Sequence, residues 1–202
     1  MNNWEIIASE LGLCKLCESD IHPHCPEEKS HLFHSSDSGG TEFEYLNLIN
    51  ALVRASKPEH CLETGTYTGL GTLAIASALS WNGSGILHTI DIEECVDARG
   101  RVSAYGLGGH VDFVVKDALE FCKTYEGPPL GFVFIDSGPT RIDETNTLLE
   151  RKKLAPGAIV VLHDASPLRT GMANTWHHVF EDRCPLKGHT MPLSRGLRIM
   201  FA

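Results

Sequence analysis

The stretch that most constrains this chain is Cys61-Leu62-Glu63-Thr64-Gly65-Thr66-Tyr67-Thr68-Gly69-Leu70-Gly71. It reads as a short buried strand ending at Glu63, a glycine-rich turn, and a helix opening near Thr72. Gly65, Gly69 and Gly71 let the backbone pass close to a ligand and take positive φ where other residues would be strained. A helix starting there points free N–H groups and a positive dipole end at whatever lies over the turn. This is a cofactor-binding element, and the rest of the sequence narrows the cofactor.

Around this stretch the pattern alternates. Apolar runs at 60–63, 85–91, 111–115, 130–135 and 157–162 are read as buried strands, with helices at about 69–80, 94–106, 117–124 and 143–153. Strands without polar alternation, separated by helices, imply a parallel sheet covered on both faces. Upstream, a helix is expected from Thr41 or Glu42 to Ala55, with Phe43, Leu46, Ile49, Asn50 and Val53 inward and Pro58 beyond its end. Trp4, Ile7, Ala8, Leu11 and Cys14 form an earlier helical stripe over 3–17, followed by a loop rich in Ser, His, Pro and Gly. Beyond Asp164 the spacing predicts a helix near 171–182 and two strands at about 188–192 and 195–201. The few residues between those strands permit a hairpin and exclude a crossover helix. The expectation is an α/β, Rossmann-like three-layer sandwich with a mostly parallel seven-stranded sheet and a C-terminal antiparallel hairpin. Residues 1–202 are read as a single domain, with 1–40 an N-terminal helix and His/Cys-rich lid.

Composition excludes several classes. Lys and Arg number 17 against 26 Asp and Glu, a net charge of −9, so nucleic acid is not an expected partner. No apolar run approaches the roughly 18–20 residues that span a bilayer, so no membrane partner is expected either. Met1-Asn2-Asn3-Trp4-Glu5 lacks the basic head and apolar stretch of a signal peptide. The seven cysteines, an odd and scattered set, fit reduced thiols in a cytoplasmic protein.

The chemistry is carried by acids at the expected strand ends: Glu63, Asp91, Asp117, Asp136 and His163-Asp164. Open α/β sheets bind ligands at that edge, although an acid there can also simply cap the next helix. Asp91, 26 residues beyond Gly65, is placed to accept hydrogen bonds from both hydroxyls of a ribose. Asp117-Ala118 is placed to meet an adenine edge. The glycine spacing G-x-x-x-G-x-G differs from the G-x-G-x-x-G that cradles a pyrophosphate, and no P-loop Lys-Ser/Thr pair follows. That spacing, with no suitably placed Tyr-x-x-x-Lys pair, disfavours an NAD-dependent oxidoreductase. A nucleoside with a ribose diol and no phosphates fits, which describes S-adenosyl-L-methionine.

From about Thr41 to Ser166 the sequence resembles the class I S-adenosylmethionine-dependent methyltransferases, in the pattern of the catechol O-methyltransferase-like small-molecule enzymes. The resemblance rests on Leu62–Gly69 with its tyrosine, Thr89-Ile90-Asp91, Phe134-Ile135-Asp136 and Val161-Leu162-His163-Asp164. It implies cofactor contacts from Glu63, Gly65, Thr66, Tyr67, Gly69, Gly71, Asp91, Asp117, Ala118 and Asp136. It also implies Mg²⁺ or another divalent cation held by Asp136 and Asp164. Two departures stand out: Ala165 replaces the asparagine that completes that metal site, and Pro139 replaces the lysine base. His163, beside Asp164, is then the candidate base, or else a packed strand-end histidine; Asp136 is a further catalytic candidate, and Arg141 is placed to orient an acidic or phenolic acceptor. Ser194 or Arg195 is expected to border the acceptor pocket. The expected activity is methyl transfer to a small molecule, at a hydroxyl oxygen first. Transfer to nitrogen or carbon, or a non-catalytic S-adenosylmethionine-binding regulatory domain, are the alternatives, and homodimerisation is left open. Cys14, Cys17, His22, His24, Cys25, His31 and His34 are read as part of the lid, with zinc binding or a redox role as alternatives.

Overall fold

The computed structural model describes residues 6–7, 40–166, 182–192 and 195–202. Five helices and seven strands are described from residue 40 onward. They are α1 (Phe43–Ser56), β1 (His60–Thr64), α2 (Leu70–Asn82), β2 (Ile86–Asp91), α3 (Val96–Ala104), β3 (Val111–Val115), α4 (Ala118–Thr124), β4 (Leu130–Ile135), α5 (Arg141–Glu150), β5 (Leu154–His163), β6 (Gly188–Met191) and β7 (Leu197–Phe201). They form one sheet in the order β3-β2-β1-β4-β5-β7-β6. The four pairings among β1 to β5 are parallel, whereas β7 pairs antiparallel with both β5 and β6. The expected mixed sheet with its terminal hairpin is therefore present.

Side-chain alternation sorts the apolar strands between two layers. Cys61, Phe132, Phe134, Ile159 and Val161 pack under α1 and α2 with Ile49, Val53, Ile75 and Leu79. Leu62, Val133, Ile135, Val160 and Leu162 face α4 and α5 with Cys122, Ile142 and Leu148. A further cluster joins Leu46 of α1 to Leu73, Ala74 and Ala76 of α2. Helix α2 is buried along its first ten residues, from Leu70 to Leu79, as an all-round apolar helix must be. Its one polar seam is met by Asn50 Nδ2 of α1, which donates to the Ala74 carbonyl at 2.8 Å and to Ser77 Oγ at 3.0 Å. Phe132 is fully buried between the sheet and this layer. Phe132→Ala is expected to cost about 3–5 kcal/mol, transfer and cavity terms together, read as a lower urea midpoint at unchanged slope.

Boundaries moved in a few places. β5 begins at Leu154 rather than 157, because Leu154 pairs with Leu130 while Ile159 pairs with Phe132, leaving an irregularity around Pro156-Gly157 that looked like a turn. α5 starts at Arg141, two residues before the expected 143, and ends at Glu150 rather than 153. α2 opens at Leu70, ahead of Thr72, and β1 runs one residue past Glu63. Apart from residues 6–7, the helix expected over 3–17 lies outside the described residues, as do the His/Cys-rich lid up to residue 39, the helix near 171–182 save its last residue, and Ser194. No helix of the described residues is long and apolar enough to cross a membrane.

Candidate active site

β1 sits between β2 and β4, so its C-terminal end opens where the chain leaves the sheet in both directions, the place where such sheets hold ligands. The glycine loop is pinned there: Gly65 N–H donates to the Ile90 carbonyl and Asp136 N–H to the Thr64 carbonyl, both at 2.8 Å. Gly65 has φ +90°, and a Cβ on it would lie 2.5 Å from the Asp136 carbonyl oxygen. At Gly71 a Cβ would lie 2.2 Å from Glu63 Oε1. At Gly65 the obstacle is backbone, so no side chain fits; at Gly71 a Cβ would have to displace the Glu63 carboxyl.

Beneath the loop Glu63 is fully enclosed. Thr72 Oγ1 and Thr89 Oγ1 donate to its Oε2, the latter at 2.7 Å, and Thr66 Oγ1 lies 2.7 Å from Thr89 Oγ1. The Thr89 proton is directed to Glu63, so the Thr66 hydroxyl donates to Thr89. Burial pushes the Glu63 carboxyl up to about 8; the two threonine bonds oppose this, and Asp136 and Asp91 add to it.

At the end of β2, Asp91 Oδ2 accepts from Tyr67 N–H at 3.0 Å and Oδ1 from Glu93 N–H at 3.2 Å. A carboxylate has about four acceptor positions, so two remain for a diol. A cavity of about 540 Å³ runs from this point past the loop, within the range of small-molecule sites. Its wall includes Glu63, Gly65, Thr66, Tyr67, Gly71, Asp91, Asp117, Ala118, Asp136 and Arg141. Gly69, by contrast, is the residue before α2 rather than part of that wall. Asp117 also serves as a helix cap, its Oδ1 accepting from Glu120 N–H at 2.9 Å. The donor set and shape fit a nucleoside with a free diol.

The far end of the cavity is built from charges. His163, 1 % exposed, places Nδ1 3.0 Å from Asp136 Oδ1 and Nε2 2.7 Å from Glu42 Oε2. Burial works against a charged imidazole, but Asp136, Asp164 and Glu42 together outweigh it and carry the pKa up to about 9. Asp164, at φ 58°, turns back so that Arg195 Nε reaches Oδ1 at 2.7 Å and Arg195 Nη2 reaches Oδ2 at 3.2 Å. Arg141 Nη2 adds a contact to Oδ2 at 3.1 Å, and its Nε and Nη1 hold the Ser137 and His163 carbonyls, each at 2.6 Å. Glu42 Oε1 accepts Arg195 N–H at 2.9 Å. Thr41 Oγ1 donates to Asp136 Oδ2 at 2.9 Å. His163 and Asp164 thus stand behind the cavity wall, while Asp136, Arg141 and Arg195 form part of it. As a free base His163 is poorly placed: both ring nitrogens face carboxylates. Arg141, expected to orient an acceptor, directs its guanidinium into the protein.

Two participants escaped the sequence reading. Glu42, directly before α1, looks like an ordinary first-turn acid, and nothing local distinguishes it. Glu144 of α5 is fully buried, accepting from Thr64 Oγ1 at 2.8 Å, Ser137 Oγ at 2.6 Å and Thr140 Oγ1 at 2.7 Å. A lone acid on the inner face of a polar helix was its only signal.

The two raised pKa values have one sign. Glu63 holds its proton from about 4.5 up to about 8 only when folded, and His163 from about 6.5 up to about 9. In those windows the folded state binds more protons than the unfolded one, so stability declines as pH rises. Thermal scans are expected to show Tm falling steadily from about pH 6.5 to about 9; a Tm that rises across this range would contradict both assignments.

Strand order, glycine loop and acid-tipped strands define a Rossmann-like domain of the nucleoside-binding kind. The chain matches the family described as a methyltransferase domain over residues 62–165, just over half its length, and it belongs to that family. It is 30 % identical over 145 residues to a Mycobacterium tuberculosis protein named as a probable O-methyltransferase, covering 66 % of this chain and 58 % of the relative. The chain therefore spans less than two thirds of that relative's length. Among solved structures, a Podospora anserina methyltransferase bound to S-adenosylhomocysteine superposes with TM-score 0.70 at 15 % identity, over 98 % of this chain and 85 % of that one. The Streptomyces achromogenes O-methyltransferase of tomaymycin synthesis, in complex with S-adenosylmethionine, gives 0.66 at 19 % identity over 100 % and 90 %. At these identities the likeness is one of fold.

Proposed function

We propose that the chain is an S-adenosylmethionine-dependent methyltransferase acting on a hydroxyl oxygen of a small molecule. The observation that carries this reading is Asp91 at the tip of β2, its carboxylate held by Tyr67 and Glu93 N–H groups beside a cavity that continues to Asp136. Family membership and the two relatives named as O-methyltransferases support it. When bound, the cofactor supplies an activated methyl group on a sulfonium. Asp91 would hold the ribose, Asp117 and Ala118 the adenine edge, and Glu63, Thr66 and Asp136 the methionine end. The cavity would align the acceptor hydroxyl with that methyl group, and Asp136 would take the hydroxyl proton. Alignment of the reacting atoms supplies much of the rate. A cytoplasmic protein free of nucleic-acid and membrane partners, built as one domain with a lid over residues 1–40, is part of the same proposal.

Calorimetry with S-adenosylhomocysteine tests the donor, and labelled methyl transfer to phenols, acids and amines tests the acceptor. Absence of cofactor binding would sink the reading. Binding without turnover on any acceptor would favour a regulatory domain, and labelling of amines alone would move the reaction to nitrogen.

A further inference from the structure

By distance alone, Asp136, His163 and Asp164 form a cation site, with one ligand atom from each lying within 4.8 Å of the others. Their bonding says otherwise. A metal-bound histidine needs a lone pair aimed at the ion. Here both ring nitrogens lie against carboxylate oxygens, 3.0 Å to Asp136 and 2.7 Å to Glu42, so each already has a partner other than an ion. Both oxygens of Asp164 lie in the fork of Arg195, and one also takes Arg141. Ala165 brings no donor atom. Asp136 is engaged as well: its Oδ1 faces His163 Nδ1 at 3.0 Å and Arg141 Nη2 at 3.5 Å, and its Oδ2 accepts from Thr41 Oγ1 at 2.9 Å. The set does not fit Mg²⁺, which requires about six oxygens in an octahedron.

We propose that this chain works without a divalent metal: Arg141 and Arg195 take the cation's place at the ends of β4 and β5. They leave Asp136 on the cavity wall as hydrogen-bond acceptor for a neutral, singly hydroxylated acceptor. An ion that clamps two neighbouring oxygens selects vicinal diols; a lone carboxylate, steadied by Thr41 Oγ1 at 2.9 Å, needs one O–H. The acceptor clause rests on the methyltransferase reading, whereas the metal clause does not.

The test is a Mn²⁺ titration of the full chain followed by electron paramagnetic resonance, with and without S-adenosylhomocysteine. Free Mn²⁺ is expected to stay undiminished up to millimolar concentrations, and Tm to be the same in Mg²⁺ and in EDTA. Micromolar binding that Asp136→Asn abolishes would overturn the proposal. Arg195→Met, which removes one guanidinium, is expected to raise Mn²⁺ affinity at least about tenfold by freeing one charge. A folded R195M with no gain would remove Arg195 from the role; should it not fold, the wild-type titration decides alone. For the acceptor, mono-phenols and vicinal diphenols are expected to turn over at comparable rates in EDTA, and a strict requirement for the diol would overturn that clause. Inactivity on every acceptor counts against the methyltransferase reading and leaves the Mn²⁺ result intact.

Discussion

Replacing Asp164 by alanine is expected to lower stability by about 3–5 kcal/mol, more than any other single change at the charged end of the cavity. Asp164 is 4 % exposed and holds two guanidinium groups that are themselves nearly buried, Arg141 at 6 % and Arg195 at 8 % of their side-chain surface. Removing it leaves two adjacent cations with one carboxylate fewer, in a setting where water cannot replace the lost partner. The loss is a large share of the roughly 5–15 kcal/mol that holds a domain together. For a chain of this length it corresponds to a Tm lower by roughly 6–20 °C. Asp164→Asn, which keeps the shape and some of the hydrogen bonding, should fall between the two. Scanning calorimetry decides the matter: a wild-type Tm in Asp164→Ala would mean that the two arginines find solvent or other partners, and the charged cluster would lose its meaning.

Asp91→Ala is expected to weaken S-adenosylhomocysteine binding about a hundredfold or more. Two hydrogen bonds to a charged acceptor contribute about 1.5–3 kcal/mol each, and each 1.4 kcal/mol is tenfold in affinity. The same substitution releases the N–H groups of Tyr67 and Glu93. Tyr67, exposed at φ 47°, loses the contact that helps hold its left-handed backbone, so the loop loses preorganisation as well. Both groups can turn to water, however, and the fold should lose only a few degrees in Tm. Isothermal calorimetry on the folded variant separates the effects. Near-native affinity would place the ribose elsewhere, and with it the whole orientation of the cofactor.

These two residues also mark the difference between what was legible and what was not. Asp91 could be read directly. It ends an apolar run that had to be a strand, it follows a glycine loop at a fixed interval, and both signals are local. The same holds for Glu63 and for Gly65 and Gly71, two glycines whose backbones are closely approached by Asp136 and by the Glu63 carboxylate. Asp136, His163 and Asp164 were found for the same reason, at strand ends, yet their partners were not. The groups that answer them come from distant places: Arg195 lies 31 residues from Asp164, and Glu42 lies 121 residues from His163.

What the sequence determined by itself is therefore the sheet, its loop and the strand ends, because hydrophobic periodicity and glycine spacing act over a few residues. What only the tertiary structure decided is the electrostatic state of the far end. The antiparallel pairing of β7 with β5 sets Leu197 opposite His163 and so brings Arg195 to Asp164, while α1 delivers Glu42 to the imidazole. Opposite charges a few ångströms apart in a dry interior determine protonation and ligand choice. That proximity is a property of chain topology rather than of any local pattern.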